Sequence, residues 1–144
     1  MPIRCEIVSQ DRIVYQGDAD IVVLPGVEGV MGILPHHAPV LTVLQFGVIT
    51  VRSKNEELFF TVAGGVAEVQ PDQVTILADA AENIEEIDLE RAQHARERAE
   101  EALERELTMD PDRYKSAKAA LLRSNLRIAS VQKYRRSRSG HHTH

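Results

Sequence analysis

The chain has 144 residues, 43% of them apolar, which suits one ordinary domain or a small domain with an appendage. It has no Trp, and its single cysteine, Cys5, excludes an internal disulfide. No stretch approaches the roughly 20 apolar residues that a membrane-spanning helix needs, and residues 1–10 lack a signal-peptide pattern. We therefore expect a protein with no direct membrane insertion, in the cytosol or on a cytosolic membrane face if a partner holds it there.

The net charge of −5 is divided unevenly along the chain. All 22 acidic residues lie at or before Asp112, and with only eight Lys and Arg they leave this part at −14. Residues 113–144 contain nine Lys and Arg and no acid, a charge of +9. Such a split indicates a basic segment that seeks an acidic surface, within the molecule or on a partner.

Residues 1–84 have the pattern of short β-strands separated by turn residues. β-branched side chains dominate the apolar runs, as a pleated and half-buried surface favours. The runs occupy residues 3–8, 12–15, 19–24, 31–34, 40–44, 48–51, 58–63, 66–69 and 74–78. No helical segment separates them to form a parallel sheet, so their spacing predicts an all-β sandwich or flattened barrel over residues 1–84. We interpret Gly64 and Gly65 as a tight hairpin turn.

Beyond residue 84 the apolar residues recur with helical spacing. Asp88 is the predicted N-cap of a first helix, and an acidic first turn suits the helix dipole. Four methyl groups then share one face of that helix, those of Ala92, Ala95, Ala99 and Ala102.

A second helix follows a break at residues 108–112. Asp110 suits its N-cap and Pro111 its first position. Its apolar face comprises Tyr114, Ala117, Leu121, Ser124, Ile128 and Val131. The two helices predict an antiparallel hairpin over residues 85–137, and the polar residues 138–144 are expected to be a disordered tail.

The contact between the two helices is predicted to be weak. Burying a methyl group yields only about 0.8 kcal/mol, whereas ordering a residue costs about 1–2 kcal/mol. The hairpin is therefore marginal alone and could open, extend along a partner, or be closed by a ligand. A permanently folded appendage is the alternative, and spacing alone does not decide between them.

No catalytic or metal motif is present in the sequence. There is no phosphate-binding loop and no Gly-x-Ser-x-Gly turn, so a small enzyme built on a sandwich has no candidate residues. His36 and His37 have no further ligand at metal spacing and read as a surface loop. The basic second helix leaves nucleic-acid binding as an alternative function. No aromatic residues are interleaved there for base stacking, so we expect no nucleic-acid partner.

Three segments of the sequence carry a family resemblance. They are residues 28–39 (EGVMGILPHHAP), 64–78 (GGVAEVQPDQVTILA) and 87–92 (IDLERA). Together, and in this order, they resemble the epsilon subunit of bacterial F-type ATP synthases over nearly the whole chain.

The resemblance implies a non-catalytic rotor subunit that has no resident cofactor. By that resemblance it would lie beside the gamma subunit and on the c-ring of the membrane sector, at the cytoplasmic face of the bacterial cell membrane, and would help couple proton flow to rotation. It also implies a regulatory hairpin that either folds or extends to inhibit ATP hydrolysis. The basic helix would then contact the beta subunit.

Two sites follow from the resemblance. The loop at residues 28–39 is similar to the c-ring contact of the family, with Glu28, Val30 and His37 as contact residues. Val30 stands where some members have an acidic residue. A purely structural loop, fixed by Pro35 and Pro39, is the alternative, and both interpretations can hold.

The second implied site binds ATP as a regulatory ligand. Its residues are Glu82, Ile87, Asp88, Arg91, Ala92, Arg98, Arg123 and Arg127. Arginines on facing helices can bind phosphates through forked donors and so bridge the two helices. The alternative makes Asp88 a helix cap and pairs the arginines with surface carboxylates. The complete motif favours binding.

Overall fold

The computed structural model describes residues 2–106 and 110–135. Thr108, Met109, the last predicted hairpin residues 136–137 and the predicted tail 138–144 lie outside the described residues. The chain divides into two compact units, Met1–Asn83 and Ile84–His144.

The first unit is built from eight strands. These are β1 (Ile3–Val8), β2 (Ile13–Ala19), β3 (Ile21–Gly26), β4 (Gly29–Ile33), β5 (Val40–Ser53), β6 (Glu56–Val69), β7 (Gln73–Ala78) and β8 (Ala81–Asn83). They form one sheet in the order β2-β1-β7-β6-β5-β3-β4, with β8 also paired to β6. The predicted all-β class is confirmed.

One pairing of the sheet is parallel. β1 and β7 run in the same direction, with Cys5 opposite Val74 and Ile7 opposite Ile76. The sheet is therefore mixed, although no helix connects these two strands. The chain reaches β7 through a series of hairpins and no helix, and that long return is invisible to local patterns.

The strands β5 and β6 bend the sheet over on itself. They pair along their length, from Val40 opposite Val69 to Ser53 opposite Glu56. One end of this long hairpin carries β7, β1 and β2, and the other end carries β3, β4 and β8. The two ends form the two layers of the sandwich, which share one core.

Gly64 and Gly65 lie inside β6, so their interpretation as a hairpin turn is wrong. Gly65 pairs with both Leu44 and Ala78 and has a φ of +133°. A Cβ at Gly65 would collide with the carbonyl oxygen of Leu77. Only glycine combines this backbone angle with so close an approach, so the pair bends a continuous strand.

The core of the first unit consists of aliphatic side chains and one aromatic ring. Phe60 is 1% exposed, and its ring lies 5.4 Å from that of Tyr15, centroid to centroid. Cys5 is fully buried. Burial raises the pKa of its thiol to about 12, and the neighbouring Glu6 charge adds to the shift.

The second unit contains two helices, α1 (Leu89–Glu106) and α2 (Pro111–Ser130). A 3₁₀ turn (Ile84–Glu86) precedes α1, and a π-helical turn (Val131–Arg135) follows α2. Asp110 caps α2, with its Oδ1 accepting from the backbone N–H of Asp112 at 2.9 Å, so the predicted cap is confirmed. Neither helix, as far as the structure describes it, is long and apolar enough to span a membrane.

The interface between α1 and α2 is lined by small side chains. The buried residues of the helices are Ala92, Ala99, Ala117, Ser124, Ile128 and Ser130. This is the seam that the alanine spacing predicts. It brings the helix backbones close together but removes little apolar surface from water.

Candidate functional site

The loop at residues 28–39 begins in the tight turn between β3 and β4. Glu28 is exposed in that turn, and Val30 is 76% exposed at the start of β4. Val27, in the same turn, and Leu34, just after β4, are also more than half exposed. The segment therefore presents apolar side chains to solvent, which is typical of a contact surface.

His37 lies beyond the other end of β4. The strand separates it from Glu28 by on the order of 15 Å, so these two predicted residues do not form one compact cluster. The His37 Nδ1 lies 2.7 Å from the Ala38 carbonyl oxygen. His36 has a φ of 68°, and its N–H donates to the Pro71 carbonyl at 2.7 Å. The loop is thus held in place by backbone contacts.

A row of outward-facing apolar residues crosses five strands of the first unit. Cross-strand partners place Val43 of β5 beside Val66 of β6, Leu77 of β7, Val8 of β1 and Ile13 of β2. Val43 and Leu77 are each 53% exposed, and Ile13 is 56% exposed. The solvent face of such a sheet normally carries polar residues.

Sequence reasoning missed this row. The signal was present in the run VLTVL at residues 40–44, where outward positions such as 41 and 43 are apolar. Which strands lie side by side could not be read from the sequence, so the separate residues could not be assembled. The structure joins them into a band about 20 Å long, from four strand spacings of about 4.8 Å.

The motif at residues 87–92 surrounds the start of α1. Asp88 is the predicted N-cap, and its Oδ1 accepts from the Arg91 backbone N–H at 3.2 Å. Ile87 and Ala92 are buried, at 5% and 3% exposure. The Arg91 side chain is exposed. Ile87 and Ala92 therefore contribute to packing and Asp88 caps the helix, whereas the exposed Arg91 side chain is left for a ligand.

The four predicted arginines of α1 and α2 occupy three successive levels along the length of the hairpin. Arg98 and Ser116 line one cleft of about 580 Å³ between the helices, near the hairpin tip. In an antiparallel pair, moving seven residues from this level toward the base brings Arg91 level with Arg123. Arg127 lies one further turn along, near the level of Ile87.

The remaining predicted residue, Glu82, lies on β8 of the first unit and is half-buried. The other seven predicted ATP-site residues belong to the second unit. Helix geometry thus puts Arg91 and Arg123 at about the same level of the hairpin and Arg98 about two turns away along α1.

The chain is thus a β-sandwich with an exposed apolar row, followed by a two-helix hairpin with a seam of small side chains. Two family models agree with this division. The model described as ATP synthase, Delta/Epsilon chain, beta-sandwich domain matches residues 2–84. The model for the long alpha-helix domain of the same chain matches residues 85–132.

Curated relatives are bacterial ATP synthase epsilon chains. That of Moorella thermoacetica is 48% identical over 131 residues, which cover 90% of this chain and 96% of the relative. That of Herpetosiphon aurantiacus is 45% identical over 139 residues, covering 96% and 99%. The chain therefore belongs to the ATP synthase delta/epsilon family as an epsilon-type accessory subunit, which confirms the resemblance found in the sequence.

Solved structures agree at the level of the fold. A chain of the Euglena gracilis mitochondrial ATP synthase, solved as OSCP/F1/c-ring, superposes with a TM-score of 0.75 at 24% identity, covering 90% of this chain and 81% of that one. A chain of the Tetrahymena thermophila central stalk/c-ring superposes with a TM-score of 0.55 at 14% identity, covering 91% and 97%.

Proposed function

We propose that this chain is a non-catalytic rotor subunit whose sandwich joins the gamma subunit to the c-ring. The observation that carries the proposal is the apolar row from Val43 to Ile13. An exposed apolar band on a sheet face marks a protein interface. The gamma subunit is the proposed occupant because one solved structure of this fold is a chain of a central stalk/c-ring assembly.

The c-ring contact is proposed for the exposed segment around β4. Val30 and Leu34 supply apolar surface, Glu28 supplies a charge at the turn, and His37 lies at the far end. Backbone hydrogen bonds hold the loop, so little ordering entropy would be lost on docking. Held by this contact, the chain would be peripheral at the cytoplasmic face of the cell membrane and would couple proton flow to rotation.

Regulation is proposed for the hairpin. Its small-residue seam makes the closed state easy to open, and its basic second helix suits an acidic surface of the beta subunit. An extended hairpin that reaches the beta subunit would inhibit ATP hydrolysis. ATP would favour the closed state, because Arg91 and Arg123 at one level could both bind its phosphates.

The docking proposal is tested with Leu77→Asp and the matched control Leu34→Asp. Both leucines are similarly exposed, at 53% and 56%, but only Leu77 lies in the row. Binding is measured by calorimetry to a soluble gamma–beta complex that lacks the c-ring. A buried carboxylate disfavours the interface, so Leu77→Asp is expected to weaken binding by tenfold or more, with Leu34→Asp unchanged. Equal affinities for both variants would refute the assignment of the row.

The nucleotide proposal is tested by calorimetry of the isolated chain at millimolar ATP. Arg91→Ala and Arg123→Ala are each expected to weaken binding, whereas Arg105→Ala, exposed on α1 outside the set, is expected to leave it unchanged. Absence of any binding heat in the unaltered protein would end the nucleotide proposal. The docking proposal would not be affected.

A further inference from the structure

The last described residue of the hairpin, Arg135, reaches back to the beginning of the same unit. One guanidinium nitrogen, Nη2, donates to the carbonyl oxygen of Ile84 at 2.6 Å and to that of Ile87 at 2.6 Å. These acceptors lie 51 and 48 residues earlier in the chain. A single side chain therefore ties the end of the hairpin to the segment that leads into α1.

Both acceptors are carbonyls that the helices leave available. Ile87 precedes the N-cap of α1, so its oxygen lies outside the helical ladder. The Ile84 oxygen also accepts from the Ile87 N–H, at 3.2 Å, and uses its second lone pair for Arg135. Hydrogen bonds from a charged donor are stronger than those between neutral groups. The bond to Ile84 adds a second donor to a carbonyl that already accepts from the Ile87 N–H.

The π-helical turn after α2 makes this reach possible. A π turn advances more residues per turn than an α-helix, so it rotates Arg135 away from the direction that a continued α-helix would give it. Single π turns of this kind are often found at functional sites. The turn also contacts the 3₁₀ turn at Ile84–Glu86, so the two ends of the unit meet directly.

The base of the hairpin also contains its bulky buried side chains. Within the described part of the second unit, the buried residues larger than alanine and serine are Ile84, Ile87, Ile128 and Val131. The middle and tip of the seam have alanine in their place. A contact that closes the base therefore acts where the hairpin has its strongest packing.

We propose that Arg135 is a latch that holds the hairpin closed at its base in the absence of nucleotide. Opening the hairpin requires both carbonyl bonds to break together. Arg135 is a positioning residue and is separate from the arginines assigned to ATP. Only its regulatory meaning rests on the proposed folded–extended switch, since the latch itself is a property of the isolated chain.

The test is hydrogen exchange on the full chain, comparing Arg135→Ala with Lys133→Ala. Lys133 lies in the same turn and is exposed, so its removal changes the charge equally without breaking the latch. Arg135→Ala is expected to speed exchange of amides at the start of α1 and the end of α2 by about tenfold, the change that 1.4 kcal/mol of lost closing energy produces. Lys133→Ala is expected to leave them unchanged.

Amides of β5 and β6 serve as the folding control. If Arg135→Ala also exposes them, Arg135→Lys replaces it, and faster exchange confined to the hairpin base is again the expected result. Unchanged exchange in the arginine variant, or an equal rise in Lys133→Ala, overturns the latch. Repeating the series with ATP separates the proposals. If ATP slows the exchange of hairpin amides in none of the proteins, that result counts against the ATP site and does not affect the latch.

Discussion

The sandwich and the hairpin differ in what they bury. Side chains of the sandwich with less than 2% exposure include Phe60 and Ile76, whereas the middle of the hairpin seam is formed by Ala92, Ala99 and Ala117. Burying a large apolar side chain contributes about 1.5–3 kcal/mol, against roughly 0.8 kcal/mol for a methyl group. The same chain thus combines a rigid platform with an element whose closure depends on a few contacts.

This difference matches the roles proposed for the two units. A subunit that transmits torque needs a docking surface that does not deform, and well-packed sandwiches provide one. A switch needs two states separated by only a few kcal/mol, so that a ligand or partner can decide between them. The following predictions test whether the two units differ as described.

The largest effect is expected from Phe60→Ala in the sandwich core. Removing a fully buried ring leaves a cavity, and such changes cost roughly 3–5 kcal/mol of the free energy of unfolding. The measurement is urea denaturation, with hydrogen exchange of β6 amides locating the loss. Leu41→Ala, at a position 68% exposed, is the control and should change stability by no more than about 0.5 kcal/mol. A Phe60→Ala cost below about 1 kcal/mol would remove the contrast between core and seam.

The next effect concerns the seam. Ala99→Leu inserts a large side chain where the helices approach closely, and overpacking of this kind costs about 1–3 kcal/mol. Hydrogen exchange should rise along α1 and α2 and stay unchanged in the sandwich. Ala129→Leu adds the same side chain at an exposed position of α2 and should leave exchange unchanged. Slower exchange in Ala99→Leu would show that the helix interface has space for the larger side chain and is not closely packed.

The sequence predicted the features that depend on local chemistry. Asp110 followed by Pro111 identified the start of α2, and the alanine spacing identified the seam. Sequence patterns failed where the structure of a segment depends on pairing with strands far away in the chain. Gly64–Gly65 was interpreted as a turn because glycine pairs usually end strands, and only the pairing of Gly65 with both neighbouring strands shows that β6 continues.

The candidate sites show the same division. The exposed segment around Val30 and the motif ending in Ala92 could be recognised in the sequence because each is continuous along the chain. The apolar row could be recognised only from the register of five strands. The hydrogen bonds of Arg135 depend on a π turn that no sequence pattern predicted. Surfaces assembled from distant parts of the chain therefore remain the least predictable features of this protein.

A smaller effect is expected from pH, and it belongs to the sandwich alone. The unfolded thiol of Cys5 titrates near pH 9.0, whereas burial raises its folded pKa to about 12. Because the folded pKa is higher, the thiol's contribution to stability is complete below pH 9 and declines as the pH rises from 9 to 12. One titrating group changes stability by about 1.4 kcal/mol per pH unit.

The measurement is urea denaturation at pH 8, 9 and 10, with Cys5→Ala as the control. Tyr15, whose pKa is also raised by burial from 10.0, is present in both proteins, so its contribution cancels in the comparison. The unaltered protein should lose up to about 1.4 kcal/mol more than the variant between pH 9 and 10. Parallel losses in the two proteins would mean that the Cys5 thiol already ionises freely in the folded state.

The smallest effect is expected at Asp110, and it bears most directly on how few contacts hold the hairpin. Its carboxylate accepts from the Asp112 N–H at 2.9 Å and lies 3.8 Å from the Arg113 Nε. Asp110→Ala should cost about 1 kcal/mol, a typical value for a lost N-cap. Asp110→Asn keeps the capping oxygen and should recover most of that loss.

In the sandwich a loss of this size would hardly change the hydrogen exchange of core amides. In the hairpin it should speed exchange through both helices severalfold, because the seam offers little packing to resist opening. An effect confined to the first turn of α2 would mean that the hairpin is held more firmly than its alanine seam implies.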